Sequence, residues 1–181
     1  MPGDLLTAAF KTEYDPSETP DLETLMRTYG KEVLQTCFSY VKEKSLAEDM
    51  FQETFLKAYK YLPTFRGESS IKTWLIRIAI NTCKDYLKSA YAKNVVPITE
   101  FKEESLSSDS DFDEVENGDT RQQVRECVLK LPEKYRDVVI CVYFHEMSLT
   151  EAAGVLALPV GTVKSRLSRA NEKLRSMLEK G

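Results

Sequence analysis

The chain has 181 residues, a net charge of −4 and 42% hydrophobic side chains, enough for the packed cores of one medium domain or two small ones. No apolar run approaches the ~20 residues a membrane span requires, and MPGDLLTAAFKTEYD lacks the basic region and apolar core of a signal peptide. Direct membrane insertion is therefore not expected, and a cytoplasmic protein is.

Residues 1–20 hold Pro2, Gly3, Pro16 and Pro20 with little periodicity, which predicts a flexible extension. A first domain is expected over residues 21–93. Leu22, Leu25, Met26, Tyr29, Val33, Cys37, Phe38 and Val41 trace a long amphipathic helix. Ser45 with Glu48 matches a capping box, and Leu46, Met50, Phe51, Phe55, Ala58 and Tyr59 carry a second helix to a stop before Pro63. Asp49, Gln52, Glu53 and Lys60 lie on its other side, which taken alone reads as a solvated face.

A polar loop from Pro63 to Ser70 then leads into a third helix from about Ile71 to Ala92, with Trp74, Leu75, Ile78, Ala79, Thr82, Cys83, Tyr86 and Leu87 as its buried side. Arg77, Asn81, Lys84 and Lys88 follow one another at helical spacing, a row that can track a nucleic-acid backbone and offer an amide to a base. Phe65, Arg66, Gly67, Glu68 and Ser69 combine one aromatic with polar groups, a composition suited to a base taken out of its stack, or Phe65 belongs to the core.

Residues 94–120 are expected to form a flexible acidic linker, too poor in apolar side chains to offset the entropy of ordering. From Pro97 to Thr120 nine carboxylates face Lys102 alone, a local net of −8, so the rest of the chain carries +4, gathered in Ile71–Lys93 and Val160–Gly181. Two basic helical stretches around an acidic spacer fit a nucleic-acid-binding protein despite the acidic total.

A second domain is expected over residues 121–181. Val124, Cys127, Val128 and Leu131 form one helix, and Pro132 opens another containing Tyr135, Val138, Val139, Val142 and Tyr143. Then comes SLTEAAGVLALPVGTVKSRLSRA, Ser148 to Ala170: a Ser148/Glu151 capping box, an apolar stripe of Leu149, Ala152, Val155 and Leu156, a turn at Ala157, and a basic helix packed through Val163, Leu167, Ala170 and Leu174. That is a helix-turn-helix pattern, although a basic amphipathic helix alone is often only a solvated face. Ala157 stands where the backbone tends toward positive φ and glycine is more usual. Cys37, Cys83, Cys127 and Cys141 fall on or beside apolar stripes with no C-x-x-C pair, which predicts buried reduced thiols. Cys141 and His145 at i, i+4 supply two ligands, short of a zinc site. No metal, cofactor or catalytic constellation is called for, and no enzyme is expected.

The runs AEDMFQETFLKAYKYLPTFRGESSIKTWLIRIAINTCKDYL (Ala47–Leu87) and LPEKYRDVVICVYFHEMSLTEAAGVLALPVGTVKSRLSRA (Leu131–Ala170) closely resemble regions two and four of the extracytoplasmic-function (ECF) group of bacterial sigma factors, in the same order. The resemblance implies an all-α protein of two small helical domains joined by the linker, with core RNA polymerase and promoter DNA as partners. A family habit adds an anti-sigma factor. It assigns core-polymerase binding to Asp49, Gln52, Glu53 and Phe55, and a flipped base of the −10 element to Phe65, Arg66, Gly67, Glu68 and Ser69. Melted −10 DNA falls to Arg77, Asn81 and Lys84, and the −35 element to Thr162, Lys164, Ser165, Arg166 and Arg169. Ser168 stands where some relatives carry an aromatic, which bears on the −35 sequence read. The implied function is promoter recognition, −10 melting and initiation. The competing reading is a free-standing helix-turn-helix regulator that binds duplex DNA without polymerase, which leaves the loop and row of the first domain unexplained.

Overall fold

The computed structural model describes residues 20–92 and 118–179; the N-terminal extension and nearly all of the acidic linker expected from the sequence lie outside them. Among the described residues all regular structure is helical. Helix α1 spans Leu22–Val41, with Asp21 as its cap: the carboxylate accepts from the Thr24 N–H at 2.8 Å, and that bond holds the Asp21 pKa below the ordinary value. It ends at Lys42, left-handed at φ 60°, whose N–H reaches the Phe38 carbonyl at 2.8 Å.

Helix α2, Lys44–Tyr61, begins earlier than the expected Ser45/Glu48 capping box allows. Glu43 caps it instead, its two carboxylate oxygens accepting from the N–H groups of Ser45 at 2.9 Å and Leu46 at 3.0 Å. Only Lys42 and Glu43 separate α1 from α2, so Ser45 is already inside the helix and cannot take the extended backbone a cap requires. A 3₁₀ turn over Leu62–Thr64 closes α2, and Ser70 opens α3, Ile71–Ala92, by accepting from the Thr73 N–H at 3.0 Å. The three helices pack on one another around Leu25, Val33, Cys37, Phe55, Ala58, Leu75, Ala79 and Cys83. Burial of each Leu or Val contributes about 1.5–3 kcal/mol.

The second half continues the core with α4 (Gly118–Lys130), α5 (Glu133–Val139), α6 (Leu149–Leu156) and α7 (Val160–Leu178). After α5 the helix widens into a π-helical turn over Ile140–Phe144, with the His145 N–H on the Ile140 carbonyl at 3.1 Å. The extra residue turns Tyr143 and Phe144 to the surface, away from the buried Ile140 and Cys141. The Ser148/Glu151 capping box forms in both directions. Ala157 is left-handed at φ 52°, and Ala152, Ala153, Val155, Val163 and Ala170 close the space between α6 and α7.

The halves dock through α3 against α6 and through polar contacts between α1, α3 and α5. Asp137, 3% exposed, accepts from the Tyr40 hydroxyl at 2.6 Å and from Lys84 Nζ at 2.5 Å. Burial, and next the Asp137 charge, raise the Tyr40 pKa well above its usual value, so the phenol keeps its proton. Nearby, Thr36 Oγ1 gives its proton to the Glu32 carbonyl at 2.7 Å, so the 2.9 Å bond to His145 is donated by Nε2–H, leaving His145 Nδ1 buried without a partner. This docking explains why Ile76 and Ile80, outside the expected stripe of α3, are buried as well.

Two expectations follow. A left-handed conformation costs a non-glycine residue ~1–2 kcal/mol, while glycine's extra chain entropy returns ~0.5–1, so Ala157→Gly is expected to stabilise by about 0.5 kcal/mol. An unchanged or lower urea midpoint would count against a strained turn. Burial, and next the positive charge of Lys72, push the His145 pKa down to about 4. The unfolded imidazole titrates near 6.5, so the unfolded chain binds the proton better, and stability is lost as pH falls from about 6.5 toward 4. Urea midpoints at pH 7 and pH 4.5 are expected to differ less for His145→Gln than for the parent chain; equal differences would show that His145 carries none of the loss.

Candidate nucleic-acid and polymerase interface

Between the 3₁₀ turn and α3 the loop curls through Gly67, left-handed at φ 70°, and leaves an open cavity of about 310 Å³ lined by Thr64, Phe65, Arg66, Glu68, Ser69, Trp74 and Arg77. Phe65 packs on Trp74 at a tilt, ring centroids 5.2 Å apart and planes at 51°, so its ring is part wall and part support. Arg77 stands at the inner edge with its Nε buried and unpartnered, a donor awaiting an acceptor. An aromatic wall, a guanidinium and a carboxylate around a space of this size can hold a small planar polar group by stacking and edge hydrogen bonds. The loop residues named from the sequence thus come together; Thr64 and Trp74 join them. Trp74 lies one turn before Arg77 on α3, and that i, i+3 spacing was the available signal.

Along α3 the expected row divides. Asn81 is exposed, whereas Arg77 and Lys84 are half-buried because the second half covers their side of the helix. Lys84 is held by Asp137, with Glu133 3.9 Å away. A Cβ on Gly154 would come within 3.6 Å of Arg77 Nη2, so the small residue in α6 accommodates the guanidinium at ordinary contact distance.

On α2, Asp49, Gln52 and Glu53 are exposed together, Glu53 pairing with Lys57 at 3.6 Å. Phe55 does not share that face. It is 3% exposed and packs on Phe51 at 4.8 Å, so it braces the helix from behind. Leu56, Tyr59 and Tyr61, at 65%, 67% and 47% exposure, add apolar surface to the outer side of α2 that periodicity alone did not flag, since Tyr59 had been counted with the buried stripe.

Helix α7 packs on α4, α5 and α6 through Val163 and Ala170, with its opposite side open. At about 100° per residue, Thr162, Ser165, Arg166 and Arg169 fall on one face. Lys164 sits on the far flank with Ser168 and Asn171, and Asn171 exchanges hydrogen bonds with the Tyr143 hydroxyl, Nδ2 donating at 2.9 Å. The Arg169 guanidinium, and next the Lys134 charge, hold the Tyr135 pKa below its ordinary value. Cys37, Cys83 and Cys141 are buried and Cys127 half-buried, all as free thiols. Among the described residues no helix is long and apolar enough to cross a membrane.

Residues 25–92 match the family described as Sigma-70 region 2, and residues 121–174 the family described as Sigma-70, region 4. The chain is 32% identical to the ECF RNA polymerase sigma factor SigW of Bacillus subtilis over 83% of its own length and 84% of that protein. It is 32% identical to the RNA polymerase sigma-H factor of Pseudomonas aeruginosa, over 87% and 86% of the two chains. Among solved structures, the sigma factor RpoE of Bartonella quintana, in complex with the anti-sigma factor NepR, superposes with a TM-score of 0.71 at 21% identity, covering 88% of this chain and 97% of that one. With both helical domains matched in order and relatives of this group aligned along most of its length, the chain belongs to the ECF group of the sigma-70 family.

Proposed function

We propose that this protein is a dissociable initiation subunit that binds core RNA polymerase, recognises promoter DNA and stabilises the melted −10 strand. One observation carries the reading: the same chain presents an open cavity with an unpartnered Arg77 Nε and, on a separate domain, a helix-turn-helix whose α7 face is free. A free-standing duplex-binding regulator needs only the second. Core polymerase performs the phosphodiester chemistry, and this chain contributes binding energy. Asp49, Gln52 and Glu53, with the exposed apolar side chains of α2 beside them, meet the polymerase while Phe55 keeps that helix rigid. The loop Phe65, Arg66, Gly67, Glu68 and Ser69 takes up one unstacked base, offsetting an unstacking cost of a few kcal/mol. Asn81 reads or tracks the separated strand, and Thr162, Ser165, Arg166 and Arg169 face the −35 duplex, with Lys164 on the neighbouring backbone.

Lys84 enters this scheme conditionally. It reaches DNA only after leaving Asp137, so engagement of the −10 strand goes with separation of the two halves, and protein without polymerase engages that strand poorly. Two weak DNA contacts linked through one chain and one polymerase reinforce each other by effective concentration. The protein works in the cytoplasm, where polymerase and promoters are. RpoE, a solved neighbour in fold, is bound to the anti-sigma factor NepR, and CnrH to the cytosolic domain of CnrY; an anti-sigma partner is proposed for this chain as well.

Run-off transcription from a promoter pool with purified bacterial core polymerase is expected to show start sites that require this chain. No such sites with several core enzymes, together with tight sequence-specific duplex binding by the chain alone, would establish the regulator instead. On a promoter so identified, Asn81→Ala is expected to reduce open-complex formation at least tenfold while closed-complex affinity changes less than threefold, about 1.4 against 0.7 kcal/mol. Equal losses in the two assays would remove Asn81 from the single-strand site.

A further inference from the structure

Around Tyr135, at the start of α5, three cations from two helices converge. Lys134 Nζ stands 5.0 Å from the centre of the Tyr135 ring and Lys173 Nζ 5.8 Å from it, while the Arg169 charge acts on the hydroxyl and helps lower its pKa. The ring itself is 7% exposed and fixed between α5 and α7, but Lys134, Arg169 and Lys173 are all at the surface. Among the described residues none of the three lies within ion-pair distance of a carboxylate, and the adjacent Glu133 approaches Lys84 instead. Each ring contact at an exposed site is about as strong as the repulsion between two like charges a few ångströms apart in water. The tyrosine therefore positions the cations without neutralising them.

Their place along α7 says what would. Arg169 and Lys173 are one turn apart and continue the face of Thr162, Ser165 and Arg166. Lys173 lies eleven residues beyond Thr162, about 16 Å along the helix. The major groove is about 12 Å wide, so a helix that enters it at Thr162 has reached the bordering strand by Lys173. Lys134, projecting from a different helix, meets the same point. We infer that Lys134, Lys173 and Arg169, gathered on Tyr135, form a seat for a phosphodiester of the strand bordering the groove that α7 enters. The seat fixes how far α7 advances and carries no base sequence. This inference rests on the proposed placement of α7 in duplex DNA.

The test uses the full chain and two unrelated fluorescein-labelled 30-bp duplexes, titrated between 50 and 200 mM KCl. Neutralising one duplex phosphate contributes about 0.9 to the slope of log K against log salt. The double variant Lys134→Gln, Lys173→Gln is expected to lower that slope by about 0.9 and to weaken binding equally on both duplexes, whereas Lys44→Gln, at the start of α2, leaves it unchanged. An unchanged slope, a loss confined to one duplex, or no binding by the parent chain at 50 mM overturns the seat. A lowered slope with no polymerase-dependent transcription keeps the seat and removes the initiation-subunit reading; the reverse pattern removes the seat alone.

Discussion

Asp137 is the charge on which the closed arrangement of this protein depends. Both of its oxygens are used, one by the Tyr40 hydroxyl and one by Lys84, and both partners come from the other half of the chain. A buried ion pair adds little net stability, because the loss of hydration offsets the attraction, but removing one partner leaves a buried charge at a cost of about 3–5 kcal/mol. Such a pair is better at choosing than at holding. Apolar patches on α1, α3 and α5 could slide over one another with small loss, whereas Asp137 finds both donors in one register only. Around it, Arg136 lies 5.8 Å from the centre of the Tyr40 ring and Arg125 5.5 Å from that of Phe38, so the other half meets α1 largely through cations on aromatic faces. Separation of such an interface uncovers Ile76 and Ile80 but also rehydrates these charges, which returns part of the cost and keeps opening within reach of a binding partner.

Helix α3 therefore serves three neighbours. One side fills the core with Leu75, Ala79 and Cys83, a second carries Asn81 in the open, and a third, with Arg77 and Lys84, lies against the second half. A helix with one partner shows one apolar stripe, while one with two shows a wider one, and Ile76 and Ile80 are the widening. The cations between those sides have two possible acceptors, the Asp137 carboxylate in the closed protein and phosphate in a complex with DNA. Because Lys84 cannot serve both, DNA binding and domain contact are coupled through one ammonium group.

Local signals were legible in the sequence wherever the physics is local. The Ser148/Glu151 box and the strained turn at Ala157 need only their immediate neighbours, and both stand as read. The failure at Ser45 is equally local: the same box pattern lost to Glu43 because the two-residue link from α1 placed an extended residue two positions earlier. What could not be read was partnership. Tyr40 meets Asp137 across 97 positions and Thr36 meets His145 across 109, and periodicity names a face without naming what covers it. The same limit hid the side-by-side exposure of Leu56 and Tyr59, whereas Phe55, which the resemblance groups with the exposed Asp49, is buried as its place on the apolar stripe requires. The π-helical turn was invisible because a single added residue leaves composition unchanged while rotating everything after it by about 100°.

Charge shows the same lesson at the scale of the whole chain. A total of −4 argues against a DNA partner only if charge is spread evenly, and here the stretch from Pro97 to Thr120 alone carries −8. Screening limits the reach of any one charge to about 8 Å at physiological salt, so a phosphate meets a local field and not a total. The relevant cations are then those left over after internal pairing. Lys57, Lys72 and Lys84 are paired with Glu53, Glu32 and Asp137, whereas Lys134 and Lys173 meet the ring of Tyr135 and Arg169 has no ion pair among the described residues. Internal pairing thus sorts the basic residues of this protein by availability, and the cations gathered at α7 and the start of α5 are ready for an anion without first breaking a contact between the two halves.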